Sequence, residues 1–153
     1  MHTFVQGELA AFFQLLKKFL QTVPSFRDTK GKHKEQFFHG LLLGMTISVS
    51  NTYTVTSSRT SPIGEYDIAL TPKNHHHKGW IIELKVTKKL DKLKEKAKEG
   101  HAQAIKKKYA TDMRASGVKE IGYMGIAFCG NEVALVSNKD TFSSIKTNSF
   151  DTA

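Results

Sequence analysis

The chain has 153 residues, 39% hydrophobic and 24% charged, which is the size and balance of one compact domain and excludes intrinsic disorder. Its single cysteine, Cys129, excludes an internal disulfide and a cysteine-built zinc site and favours a reducing compartment, the cytoplasm. With 23 basic against 14 acidic residues the formal charge is +9, a balance that suits a polyanionic partner but does not by itself select one.

At the N-terminus, Met1-His2-Thr3-Phe4 lacks a basic region ahead of its apolar stretch, so no signal peptide is expected. From Phe4 to Val23 the residues Phe4, Val5, Leu9, Phe12, Phe13, Leu16, Phe19, Leu20 and Val23 recur at threes and fours, which predicts an amphipathic helix closed by Pro24. A polar stretch, Ser25 to Lys34, separates it from a second helix over Glu35 to Met45. That helix is apolar nearly all round, which predicts burial. Its run from Phe37 to Met45, with His39 inside, falls well short of the about 20 residues a membrane span needs.

After Gly44 the composition shifts to β-branched residues and predicts a strand over 52–57. A turn-rich segment from Ser57 to Gly64, with Pro62, leads to a second strand, Tyr66 to Leu70. Pro72 and the run His75-His76-His77 predict a hairpin loop, and Trp80 to Val86 is the most strand-like segment of the chain. Residues 88 to about 115 predict one long helix, with Leu90, Leu93, Ala97, Gly100, Ala104 and Lys108 along one stripe and Gly117 ending it. Two strands follow, Ile121 to Phe128 and Glu132 to Val136, joined by the turn dipeptide Gly130-Asn131. The expected organisation is a single domain over residues 1–138 and a polar tail over 139–153. The order α-α-β-β-β-α-β-β predicts an α/β fold with a central mixed sheet flanked by helices.

Alternation along the third strand puts Glu83 and Lys85 on one face, and Asp67 lies in the strand before it. The neighbours Ile81, Ile82, Leu84 and Val86 make this strand central, where an ionised side chain is costly unless paired or bound to a metal. Two carboxylates and an ammonium at one sheet edge suit a Mg²⁺ site with a cation beside an attacking water. An exposed same-face ion pair is the alternative that spacing alone leaves open.

The ordered set of motifs resembles the PD-(D/E)xK nuclease superfamily, in particular the bacterial branch found as a C-terminal module of AAA-type ATPase-like proteins. The resemblance runs through Glu35-Gln36-Phe37-Phe38-His39-Gly40-Leu41, Ser58-Arg59, Gly64-Glu65-Tyr66-Asp67-Ile68, Ile82-Glu83-Leu84-Lys85, Gln103 with Tyr109, and Gly125 to Gly130. It implies a restriction-endonuclease-like core, with Asp67 and Glu83 ligating a divalent metal and Glu35 completing the metal site. Lys85 would activate the water, and Gln103 would help place the active site or the substrate. The implied activity is Mg²⁺-dependent hydrolysis of nucleic acid, DNA ahead of RNA, with Mn²⁺ able to substitute, by a module of a larger multidomain protein. The alternative is a catalytically silent nuclease-like module that binds nucleic acid or a protein. One departure is Glu65, where the branch commonly carries a basic residue near the scissile phosphate; Arg59 is the remaining candidate phosphate contact.

From Lys85 to Lys108 there are ten lysines against Asp91, Glu95 and Glu99, a net charge of seven. On a continuous helix Lys92, Lys96, Gln103 and Lys107 share one stripe, which predicts contact with a phosphate backbone. Tyr109 reads equally well as a packing residue, His39 better as a buried, hydrogen-bonded one, Cys129 as a small core residue, and the three consecutive histidines lack the spacing of a metal site. Replacing Asp67 or Glu83 by its amide is expected to relieve carboxylate repulsion in the ion-free protein.

Overall fold

The computed structural model describes residues 1–22, 33–59, 66–138 and 140–145. The β-branched and apolar runs form a six-stranded sheet: β1 (Tyr53–Arg59), β2 (Tyr66–Pro72), β3 (Gly79–Val86), β4 (Ile121–Cys129), β5 (Glu132–Ser137) and β6 (Thr141–Ser143). Spatial order follows chain order. Every neighbouring pair is antiparallel except β3 and β4, which are parallel because helices cross over between them. β2 and β3 form the expected hairpin around the histidine run.

Period-two alternation assigns each face of the sheet its own cover. Ile68, Leu70, Trp80, Ile82, Leu84, Met124, Ile126 and Phe128 point into the main core with Phe4, Phe12, Leu16, Leu20, Phe38 and Leu42. These come from α1 (His2–Val5), α2 (Leu9–Thr22) and α3 (His33–Met45). The Phe38 ring stacks on Phe128 at 4.2 Å, and Phe4 packs on Trp80 at 4.6 Å. On the other face Ala69 and Ile81 pack with Ala104, Ala110 and Met113. These belong to α4 (Leu93–Ile105) and α5 (Tyr109–Ala115). Among the described residues no helix is long and apolar enough to cross a membrane.

Three elements differ from the sequence expectation. The single helix over Phe4–Val23 is two, because Gly7 adopts φ +81, a left-handed conformation that ends α1 and lets α2 restart at Leu9. Pro24, expected to close it, lies outside the described residues, as does most of the turn around Pro62. The long helix over 88–115 is broken into a 3₁₀ turn at Leu90–Lys92, then α4 and α5. Its buried stripe runs Leu93, Ala97, Gly100, Ala104 and resumes only at Ala110 and Met113. A continuous helix would have placed lysine at the next apolar position, and Leu90 and Lys108 are both exposed. Finally, residues 141–143 of the expected polar tail pair with β5 as an edge strand, anchored by Phe142 stacking on Phe13 at 5.3 Å.

Candidate active site

Ser58, Asp67, Glu83 and Gly125 occupy one row across β1, β2, β3 and β4, each directly in register with the next. Directly opposed residues of an antiparallel pair bring their side chains together on one face. Asp67 and Glu83 therefore meet beneath α4, 1% and 0% exposed. Their burial follows from how closely α4 lies on the sheet. A Cβ at Gly125 would overlap the Ala97 carbonyl oxygen and the His101 nitrogen, and one at Gly100 would lie 3.2 Å from the Glu83 carbonyl oxygen. Glycine on both surfaces lets the helix backbone rest on β3 and β4 at the level of the carboxylates.

Two buried carboxylates demand compensation. Asp67 Oδ1 accepts hydrogen bonds from the Ser58 hydroxyl at 2.8 Å, the Ser58 N–H at 3.2 Å and the Tyr109 hydroxyl at 3.3 Å. Burial pushes the Tyr109 phenol up and the Asp67 charge adds to this, so it stays protonated and remains a donor. Asp67 Oδ2 makes no hydrogen bond but lies 3.3 Å from Lys107 Nζ. The same Nζ is 3.6 Å from Glu83 Oε2, and Lys85 Nζ is 4.0 Å from Glu83 Oε1. Both lysine side chains are largely covered, 13% exposed for Lys85 and 17% for Lys107.

The carboxylates are thus charge-balanced rather than in open repulsion, which corrects the expectation that an amide at either position relieves strain. Lys107 also leaves the stripe that a continuous helix assigns to it. It sits in the turn between α4 and α5 and reaches inward to the carboxylates, while Lys92 and Lys96 remain on the outside, paired with Glu95 at 3.0 Å and Glu99 at 2.8 Å. Gln103 is half-buried on α4, and its Oε1 is buried with no hydrogen-bond partner.

Glu35 and His39 lie one turn apart on α3, whose Phe38 and Leu42 pack on the opposite face of the sheet. His39 Nε2 bonds the Ser57 hydroxyl at 2.7 Å. Burial lowers its pKa, and the charge of Asp67 opposes that shift. Among the described residues no group of three or more His, Cys, Asp or Glu side chains could hold a metal ion. Arg59 ends β1, but its side chain, like all of Glu65, is outside what is described. Cys129, at the end of β4, is half-buried, and burial pushes its thiol up, as suits a packing residue.

Ser58, Tyr109 and Lys107 acquire their roles from the structure. Ser58 could have been found from its register opposite Asp67, and Lys107 from the phase jump of the apolar stripe between Ala104 and Ala110. A cavity of about 610 Å³ lies elsewhere, lined by Tyr53, Lys78 and Glu120 where β2 ends and β3 begins. Neither Asp67 nor Glu83 lines this cavity.

A divalent cation fits the donor set. Asp67 Oδ2 and Glu83 Oε2 already converge on one cationic atom, both are hard oxygen donors, and Mg²⁺ characteristically takes one or two carboxylates and completes its shell with water and phosphate. A model of the PD-(D/E)XK nuclease superfamily matches residues 33–138. Neither a curated protein nor a solved structure matches the chain. The matched segment contains the whole carboxylate–lysine cluster and most of the mixed sheet, and the chain belongs to the PD-(D/E)XK nuclease superfamily.

Proposed function

We propose that the protein is a divalent-metal-dependent nuclease that hydrolyses phosphodiester bonds of nucleic acid, with DNA the first substrate to test. The observation that carries this reading is the convergence of two fully buried carboxylates, Asp67 and Glu83, on a single cationic atom. Asp67 Oδ2 and Glu83 would hold Mg²⁺ or Mn²⁺, which supplies Lewis acidity and an acidified water when bound. Lys85 lies on the same strand face as Glu83, and its ammonium stabilises negative charge developing on the attacked phosphate and orients the water. Ser58 and Tyr109 fix the Asp67 carboxylate by saturating its other oxygen. Gln103 has an open acceptor, Oε1, that suits a water or substrate hydroxyl donor, and Glu35 assists from α3. Lys92, Lys96 and Arg59 are the proposed backbone contacts, supported by the +9 charge of the chain. The unpaired Cys129 suits a reducing compartment, and the cytoplasm is the proposed location.

A second reading, a silent module that binds nucleic acid or a protein, draws on the charge balance of the cluster, since Lys85 and Lys107 neutralise both carboxylates without an ion. Cleavage assays on plasmid and on single-stranded DNA and RNA, with Mg²⁺, Mn²⁺ or EDTA, separate the two. The nuclease reading expects ion-dependent cleavage that Asp67→Asn and Glu83→Gln abolish and Lys85→Ala slows by at least about a hundredfold while metal binding survives. Wild-type protein that binds nucleic acid and metal yet cuts nothing supports the silent module.

A further inference from the structure

Lys107 reaches the carboxylates from a different kind of element than Lys85. Lys85 projects from the central strand β3, whereas Lys107 extends a flexible four-carbon stem from the turn between α4 and α5, flanked by the exposed Lys106 and Lys108. Asp67 Oδ1 already accepts three hydrogen bonds, so a cation that binds Asp67 must approach Oδ2, the oxygen that Lys107 Nζ holds at 3.3 Å. On the Glu83 side the same Nζ holds Oε2 at 3.6 Å. Ion and ammonium therefore contend for the same two oxygens. Charge leads to the same result. Two carboxylates and two lysines sum to zero, and a dication added beside both lysines leaves two uncompensated positive charges in a buried site.

We propose that Lys107 is a displaceable counter-cation: it holds Asp67 and Glu83 together in the ion-free protein and gives way to the divalent cation. Its ammonium then swings outward to join Lys106 and Lys108. This rests on the metal-site reading above and adds to it a built-in competitor for the ion.

Calorimetric titration of Mn²⁺ into wild type, Lys107→Met, Lys107→Arg and Asp67→Asn, without nucleic acid, tests it together with thermal unfolding in EDTA. Lys107→Met is expected to bind Mn²⁺ about tenfold tighter or more, because the competing charge is gone. It should also melt at a lower temperature than wild type in EDTA, with the gap narrowing in saturating Mn²⁺, while Lys107→Arg stays close to wild type in both respects. Unchanged or weaker Mn²⁺ binding by Lys107→Met overturns the counter-cation role alone. Binding that persists in Asp67→Asn, or is absent from both wild type and Lys107→Met, overturns the metal-site reading and this inference with it. If Lys107→Met does not fold, wild type carrying ¹⁵N at its lysine ammonium groups gives the answer, with the Lys107 signal identified by its loss in Lys107→Arg. That signal shifts to a solvent-exposed position on addition of Mg²⁺ if Lys107 is displaced, and a signal unmoved at saturating Mg²⁺ overturns the proposal.

Discussion

Tyr109 shares its acceptor with Ser58, and the consequence is asymmetry within one carboxylate. Oδ1 of Asp67 is committed to neutral donors, and Oδ2 is committed to charge. A hydrogen bond to a charged group is worth about 1.5–3 kcal/mol when its removal leaves the acceptor buried. Because Ser58 still supplies two donors, Tyr109→Phe is expected at the low end, lowering the unfolding free energy by about 1.5 kcal/mol. Cleavage should slow by about tenfold or less, through looser orientation of Asp67, with KM for nucleic acid little changed. Urea unfolding and steady-state kinetics check both parts, and an unaltered rate would mean that Tyr109 does not position the carboxylate. The shared face of Glu83 and Lys85 was legible in the sequence because alternation along a strand is local, whereas Asp67 meets Glu83 through cross-strand register. Tyr109 was not legible, because its reach to Asp67, 42 residues away in sequence, depends on where α4 stops.

At the scale of elements, the contact between α4 and the sheet decides the site. Gly125 stands in register with Glu83 and leaves room for the backbone of α4 at Ala97 and His101. Gly125→Ala forces a methyl group into backbone that has no rotamer to yield, and overpacking of this kind costs about 1–3 kcal/mol or more. The variant is expected to unfold at lower urea and to lose divalent-ion binding even where it remains folded, since α4 must lift from the carboxylates. Retained ion affinity at reduced stability would separate the site from the helix contact. On the outer side of α4 and the turn before it, Lys92 engages Glu95 in an exposed pair and Lys96 engages Glu99 in a half-buried one, both of which salt and competing phosphate weaken. Replacing both lysines by glutamine should reduce the slope of log affinity against log salt by up to about two units while sparing the fold. An unchanged slope in filter-binding or fluorescence titrations would leave this face as solvated surface.

Over the whole molecule, the family match begins at residue 33, yet one face of the sheet depends on what precedes it. Phe4, Phe12, Leu16 and Leu20 are all buried against β2, β3, β4 and β5, and Phe4 touches the Trp80 ring directly. Truncating a buried phenylalanine to alanine costs about 3–5 kcal/mol. Phe4→Ala is expected to destabilise the protein by that amount in urea unfolding, although it is remote from the carboxylates, and activity per folded molecule should be preserved. A change below about 1 kcal/mol would show α1 to be dispensable to the core.

The sequence by itself determined β1 to β5, their faces and the fold class, because period-two alternation and β-branched runs report burial locally. It also placed Glu83 and Lys85 on one face of the third strand. The breaks at Gly7 and after Ile105 have local causes, a left-handed glycine and a jump in the apolar stripe, whereas the sixth strand at 141–143 was hidden because it depends on a partner distant in sequence, the Phe13 ring. Only the tertiary structure turned Lys107 from the basic face of a helix into the cluster, because two charges sealed under α4 attract a cation more strongly than helix periodicity holds it outside.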